Sequence, residues 1–246
     1  DEFDHDSTSE PMIIDEVFEG ELRKMIVHVS RNGHVYAMDR ETGDFLWAGE
    51  YTRVNWALRD ESGKPVLKEE LYNPASTVVF PGIFGGKNWP PASYSPDTHM
   101  LYIPTTEWGT TFIRREGEGR PGTMYLGGIP RFESSGTGYL VAFNMLSGEI
   151  EWQEETPGNF NWAGTLATGG GLVFSGAADG YLRAYNDETG EVLWEFQTGS
   201  GLYAPPTSFT IDGKQYIGIA SGTREPVTRA GVATGIAPGN YILFSL

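Results

Sequence analysis

The chain has 246 residues, with 17 Lys plus Arg against 33 Asp plus Glu and a formal charge of −16. That charge, with no Lys/Arg stripe to offset it locally, repels a phosphate backbone and argues against a nucleic-acid partner. No apolar run approaches the ~20 residues a membrane helix needs, and with no Cys the chain carries no disulfide, thiolate metal site or C-x-x-C-H haem attachment. Thirty-three Gly, 15 Pro and 13% aromatic residues instead predict many short strands joined by tight turns, an all-β chain.

The first ten residues, DEFDHDSTSE, have neither the basic nor the apolar region of a secretory signal. They place four carboxylates in six positions, with Asp4 and Asp6 one residue apart. On an extended strand residues i and i+2 project to one face, so this pair can face one ion. A charge run at a terminus also reads as a solvated tail.

Downstream, one pattern occurs three times: AMDRETGDFLW at 37–47, AFNMLSGEIEW at 142–152 and AYNDETGEVLW at 184–194. Each reads A-x-D/N-x-x-x-G-x-x-x-W. The physics is that of a hairpin: Asp or Asn bonds the turn backbone, Gly supplies the positive φ, and a Trp follows on the outgoing strand. A large ring recurring at one place in each unit predicts packing between neighbouring units, with Ala leaving room for close approach.

The third unit reads whole as GTLAT, LVFSG, YLRAYN and VLWEFQ with three intervening turns, the four strands of one propeller blade. Trp152 and Trp194 lie 42 residues apart, within the ~40 to 50 residue blade period. The gap of 105 from Trp47 to Trp152 then holds a further blade with long insertions. PTSFTI, QYIGIAS and YILFSL give three strands of a last blade, for which residues 1–23 offer only PMIIDEVF as a weak fourth strand. The expected architecture is one partial β-propeller domain over 1–246, of roughly four blades. His5, His28, His34 and His99 show no zinc-like spacing and read as strand or turn residues. TFIRREGEGRPG and TREPVTRAGVATGIAPGN read as solvated loops.

The repeat resembles the tryptophan docking motif of the quinoprotein alcohol dehydrogenases. Their eight-bladed propeller binds pyrroloquinoline quinone (PQQ) and a metal ion. SRNGHVYAMDRETG at 30–43, GGKNWPPASYSP at 85–96, residues 161–201 and the terminal FSL all look like members of that family. The resemblance covers nearly the whole chain in order and corresponds to the C-terminal half of the family fold, about half of the eight-bladed propeller. It implies that the rest of the metal ligands, a vicinal disulfide and a Trp below the quinone belong to the missing N-terminal half, and that the chain alone is incomplete and inactive.

By this resemblance DEFDHD matches the segment carrying the catalytic Asp. Asp4 is then the base and a metal ligand, and Arg31 contacts both the quinone and the base. Asn88 bonds the cofactor edge, and Trp162 lies near the cofactor. The extra carboxylate, Asp6, marks the family's lanthanide-using members, so the implied cofactors are PQQ with a lanthanide or Ca2+. Hydride transfer from an alcohol needs a base, an electrophile and positive charge beside it, which this set would supply. The implied function is oxidation of a primary alcohol, or a related alcohol or aldehyde, in the periplasm. Electrons would pass to a separate acceptor such as a c-type cytochrome, and the resemblance is compatible with a homodimer. Two alternatives share the repeat: a non-catalytic propeller scaffold, which has no reason to keep Asp4, Arg31, Asn88 and Trp162, and a glucose-type quinoprotein dehydrogenase. Phe3 stands where the family usually has Trp, and GTREPVTRAG lacks the family's Trp-containing stretch.

Overall fold

The computed structural model describes residues 3–18, 20–68, 77–114, 119–123, 128–222 and 239–245. The described residues contain strands and turns and no helix. In chain order the strands are β1 Met12–Phe18, β2 Glu21–Val29, β3 His34–Asp39, β4 Phe45–Glu50, β5 Ala57–Arg59, β6 Pro65–Leu67, β7 Val78–Val79, β8 Ser93–Ser95, β9 Met100–Glu107 and β10 Thr110–Arg114. They continue as β11 Gly128–Phe132, β12 Thr137–Asn144, β13 Glu149–Thr156, β14 Thr165–Thr168, β15 Leu172–Ser175, β16 Tyr181–Asn186, β17 Val192–Gln197, β18 Thr207–Ile211, β19 Lys214–Ser221 and β20 Asn240–Ser245. The chain divides into two compact units, residues 1–88 with 106–136, and residues 89–105 with 137–246.

In the first unit β1-β2-β3-β4 form an antiparallel up-and-down sheet. PMIIDEVF is therefore the first strand of the first blade, paired to β2 from Met12↔Val27 to Phe18↔Glu21, and not a strand that completes the last one. The hairpin β5-β6 and the three-stranded sheet β11-β10-β7 are the insertions expected after Trp47. TFIRREGEGRPG is thus only partly a loop, because Thr110–Arg114 pairs with both β11 and β7. The β-branched and aromatic residues of TTFIR suit a ladder better than a solvated loop.

The second unit holds the sheets β13-β12-β9-β8 and β14-β15-β16-β17 and the three-stranded β18-β19-β20. The predicted four strands of 165–197 are all present. The long loop 223–238 lies outside the described residues, although Asn240, read with it, begins β20.

The three repeats close in the same way. Asp39 Oδ1 accepts from the amides of Glu41 and Thr42, Asn144 Oδ1 from Leu146 and Ser147, and Asn186 Oδ1 from Glu188 and Thr189. Gly43, Gly148 and Gly190 sit at φ of 80°, 72° and 76°. The repeat Ala lies directly across from the repeat Trp in every case, Ala37↔Trp47, Ala142↔Trp152 and Ala184↔Trp194, with a register shift just after the Ala.

Packing follows the second of these rings most fully. Trp152 donates through Nε1 to the Asp187 carbonyl at 3.0 Å, in the turn of the next sheet. A Cβ on Gly190 would lie 2.8 Å from the Trp152 ring, so this glycine serves both the positive φ and the close approach. Trp152, Tyr102, Leu140, Val173 and Tyr185 form one buried cluster between the two sheets. Phe174, Leu182, Leu202, Ile217 and Ile219 form the next.

Candidate functional site

Residues 3–11 lead into β1 and belong to no strand, so the expectation that Asp4 and Asp6 share a regular strand is not met. Asp4 instead has φ of 61°, a left-handed conformation that Asp tolerates better than most residues at a cost of ~1–2 kcal/mol. The alternation behind that expectation nevertheless survives. Phe3, His5 and Ser9 are buried, while Asp6, Thr8 and Glu10 are exposed.

Side-chain bonds stand in for the missing ladder. Phe3 packs with Val79, Trp56, Leu67 and Phe112. His5 Nε2 donates to the Pro81 carbonyl at 2.9 Å, and burial, opposed by that bond, lowers its pKa to about 4, so it is neutral at pH 7. Ser7 Oγ bonds Ser30 Oγ and accepts from the Arg31 amide at 2.9 Å, and Ser9 Oγ donates to the Asn88 carbonyl at 3.3 Å.

Arg31 lies in the turn between β2 and β3. Its side chain is 10% exposed and donates through Nη2 to Asp4 Oδ2 at 3.2 Å, where the Asp4 side chain is 44% exposed. The guanidinium also donates to the Ile83 carbonyl and, at 3.5 Å, to the Asp6 carbonyl. Its Nε is buried with no acceptor among the described residues. A largely buried cation thus grips a carboxylate that solvent can reach.

The loop 82–88 presses on this arginine from the other side. Gly86 N donates to the Arg31 carbonyl at 2.8 Å, and a Cβ on Gly85, which has φ of 75°, would come within 2.9 Å of Arg31 Cβ. GGKNW is glycine-rich here because the backbone must pass this close. Asn88 ends the loop, half-buried, with Nδ2 donating to the Phe84 carbonyl at 2.9 Å. Asp4, Asp6, Arg31 and Asn88 are therefore brought into one bonded neighbourhood of the first unit.

Trp162 belongs to the second unit, in the turn before β14. Asn161 fixes that turn, donating to the Tyr139 carbonyl and accepting from the Ala163 amide. The Trp162 ring is half-buried against Phe160 at 4.5 Å and Tyr203 at 6.5 Å.

His5, Ser7, Ser9 and Lys87 were missed as members of this neighbourhood. For His5, Ser7 and Ser9 the one sequence signal was the alternation of FDHDSTSE, in which inward residues are small or ring-bearing and outward ones are acidic or polar; Lys87 had none.

Repeated up-and-down sheets closed by Asp/Asn-Gly turns and docked tryptophans define a β-propeller domain. Residues 138–217 match the family model "PQQ: Glucose/ethanol/alcohol dehydrogenase, beta-propeller domain". The dehydrogenase subunit of the quinone alcohol dehydrogenase of Acetobacter aceti is 32% identical, the alignment covering 90% of this chain and 32% of that protein. The quinohemoprotein alcohol dehydrogenase of Comamonas testosteroni superposes with a TM-score of 0.85 at 29% identity, over 99% of this chain and 38% of the other. A europium-containing methanol dehydrogenase superposes with a TM-score of 0.81 at 31% identity, over 90% of this chain and 40% of the other. The chain belongs to the quinoprotein alcohol dehydrogenase family, and it spans about a third to two fifths of the length of these relatives.

Proposed function

We propose that this chain is the part of a PQQ- and metal-dependent alcohol dehydrogenase that carries the catalytic base. The observation that supports this most is the Arg31–Asp4 pair, a 10%-exposed guanidinium 3.2 Å from a carboxylate left 44% exposed. Structural ion pairs have no need to hold one partner toward solvent in a left-handed conformation, and such outliers concentrate at functional sites.

In this reading Asp4 takes the hydroxyl proton of the alcohol. Arg31 orients that carboxylate and lends positive charge where electron density accumulates. PQQ, when bound, supplies the electrophile that accepts the hydride. The residues fit such a group chemically: Arg31 Nε is a buried donor with no acceptor among the described residues, and Asn88 adds an amide on the loop that packs on Arg31. Asp4 and Asp6 are hard oxygen donors suited to Ca2+ or a lanthanide, with the remaining ligands supplied from outside the described residues. The europium-containing relative favours the lanthanide, for which Asp6 is the extra ligand. Trp162 is assigned to the cofactor's surroundings, the substrate to primary alcohols, the location to the periplasm, and the electrons to a separate acceptor.

In the complete protein, Asp4→Asn removes the base at constant shape, and turnover falls ~10²–10⁴-fold with PQQ affinity retained; near-normal rates would remove Asp4 from this role. Asp6→Ala weakens lanthanum-supported activity more than calcium-supported activity, and equal losses with both metals would end its assignment as the extra ligand.

A further inference from the structure

Lys87 is the least expected side chain of the first unit. It is 1% exposed. Nζ donates to Ser9 Oγ at 2.9 Å and to the Asn88 carbonyl at 3.3 Å, both neutral oxygens. No described carboxylate lies within ion-pair distance of it, and burial lowers its pKa to about 8 against an opposing pull from Glu10. A buried ammonium whose hydrogen bonds, among the described residues, go to neutral acceptors is poor design for stability, since desolvation opposes it and the pull of Glu10 offsets this only in part.

Its position suggests what it does instead. Ser9 is on the inward side of the strandless segment that carries Asp4 and Asp6, and Asn88 is on the glycine-rich loop that grips Arg31. Ser9 Oγ also donates to the Asn88 carbonyl, so Lys87, Ser9 and Asn88 close a three-membered set of bonds between the two pieces of chain. At the other end of the same segment, Arg31 joins Asp4 to the Ile83 carbonyl of that loop.

We propose that Lys87 and Ser9 are positioning residues: together they latch the segment bearing Asp4 to the loop bearing Asn88, and so fix the base relative to the amide at the cofactor's edge. This rests on the quinoprotein reading given above. Neither residue touches the reacting atoms, and the latch acts through Asn88 and through the backbone that leads from Ser9 back to Asp4.

The test compares the complete protein, this chain joined to the N-terminal half that the family resemblance implies, with its Lys87→Met and Ser9→Ala variants by hydrogen exchange and by titration with PQQ plus calcium or lanthanum. Both variants are expected to exchange the amides of residues 3–10 at least about ten-fold faster, with β14–β17 unchanged, and to bind PQQ about ten-fold more weakly. Should Lys87→Met fail to fold, Ser9→Ala, which deletes one hydroxyl, carries the same comparison. Unchanged exchange in 3–10 overturns the latch. Faster exchange with unchanged PQQ affinity reduces it to a structural contact and overturns the positioning role. A complete wild-type protein that binds no PQQ with either metal, while the variants still loosen residues 3–10, refutes the quinoprotein reading and not the latch.

Discussion

Two stretches of this chain are held in opposite ways. From Thr165 to Gln197 the backbone runs through four paired strands whose turns are capped by the same Asn and Gly chemistry that recurs elsewhere. From Phe3 to Glu10 the backbone has no strand partner among the described residues, and Phe3, His5, Ser7 and Ser9 each reach a different place in the surrounding structure. The first stretch is overdetermined by local pattern and yields scaffold. The second depends on residues 20 to 80 positions away and carries the carboxylates. The proposed site sits where regular pairing stops, because there side chains are aimed by something other than a ladder.

The largest effect expected from breaking that comparison is on the scaffold side. Trp152→Ala opens a cavity in the buried cluster with Tyr102, Val173 and Tyr185 and removes one of the two donors to the Asp187 carbonyl, the other being the Tyr102 hydroxyl, so it destabilises by ~3–5 kcal/mol, read as a fall in the urea midpoint. The equivalent change at Trp194, whose ring is 39% exposed, costs less than half as much.

A second measurement concerns the ring beside the site. His34 has no exposed side-chain surface, with Glu50 Oε1 3.8 Å from its Nε2 and an edge contact to Trp56 at 5.7 Å. Burial, with Arg59 adding to it, lowers its pKa from 6.5 to about 4. Between those values the unfolded chain binds the proton and the folded one does not. Stability is therefore full above pH 6.5 and falls as pH drops toward 4, by ~1.4 kcal/mol per unit and about 3 kcal/mol in all. Denaturant titrations at pH 7 and 4.5 should show at least this slope in the wild type, because buried His5, also lowered to about 4, adds its own, and a shallower one in His34→Phe.

The smallest effect expected is at a repeat turn. Asn186→Ala removes an acceptor shared by the amides of Glu188 and Thr189 and costs ~1 kcal/mol, with the sheet otherwise intact by circular dichroism. A loss as large as that at Trp152 would mean that the turns, and not the docked rings, hold the sheets.

What the sequence determined by itself was whatever has a short period. The Asp/Asn and Gly of each turn, the Ala facing each Trp and the four strands of 165–197 are set by contacts within a dozen residues, so they were legible in order and nearly to the residue. The inward and outward sides of residues 3–10 were legible too, since alternation is local. Tertiary structure alone decided the rest. PMIIDEVF found β2 as its partner, the left-handed turn at Asp4 replaced a straight strand, and a lysine written beside Asn88 came to be buried on Ser9. Each of these depends on which distant groups remain unsatisfied once the sheets have formed. A buried donor or acceptor must be paired, and the partner that pairs it carries no periodic mark in the chain.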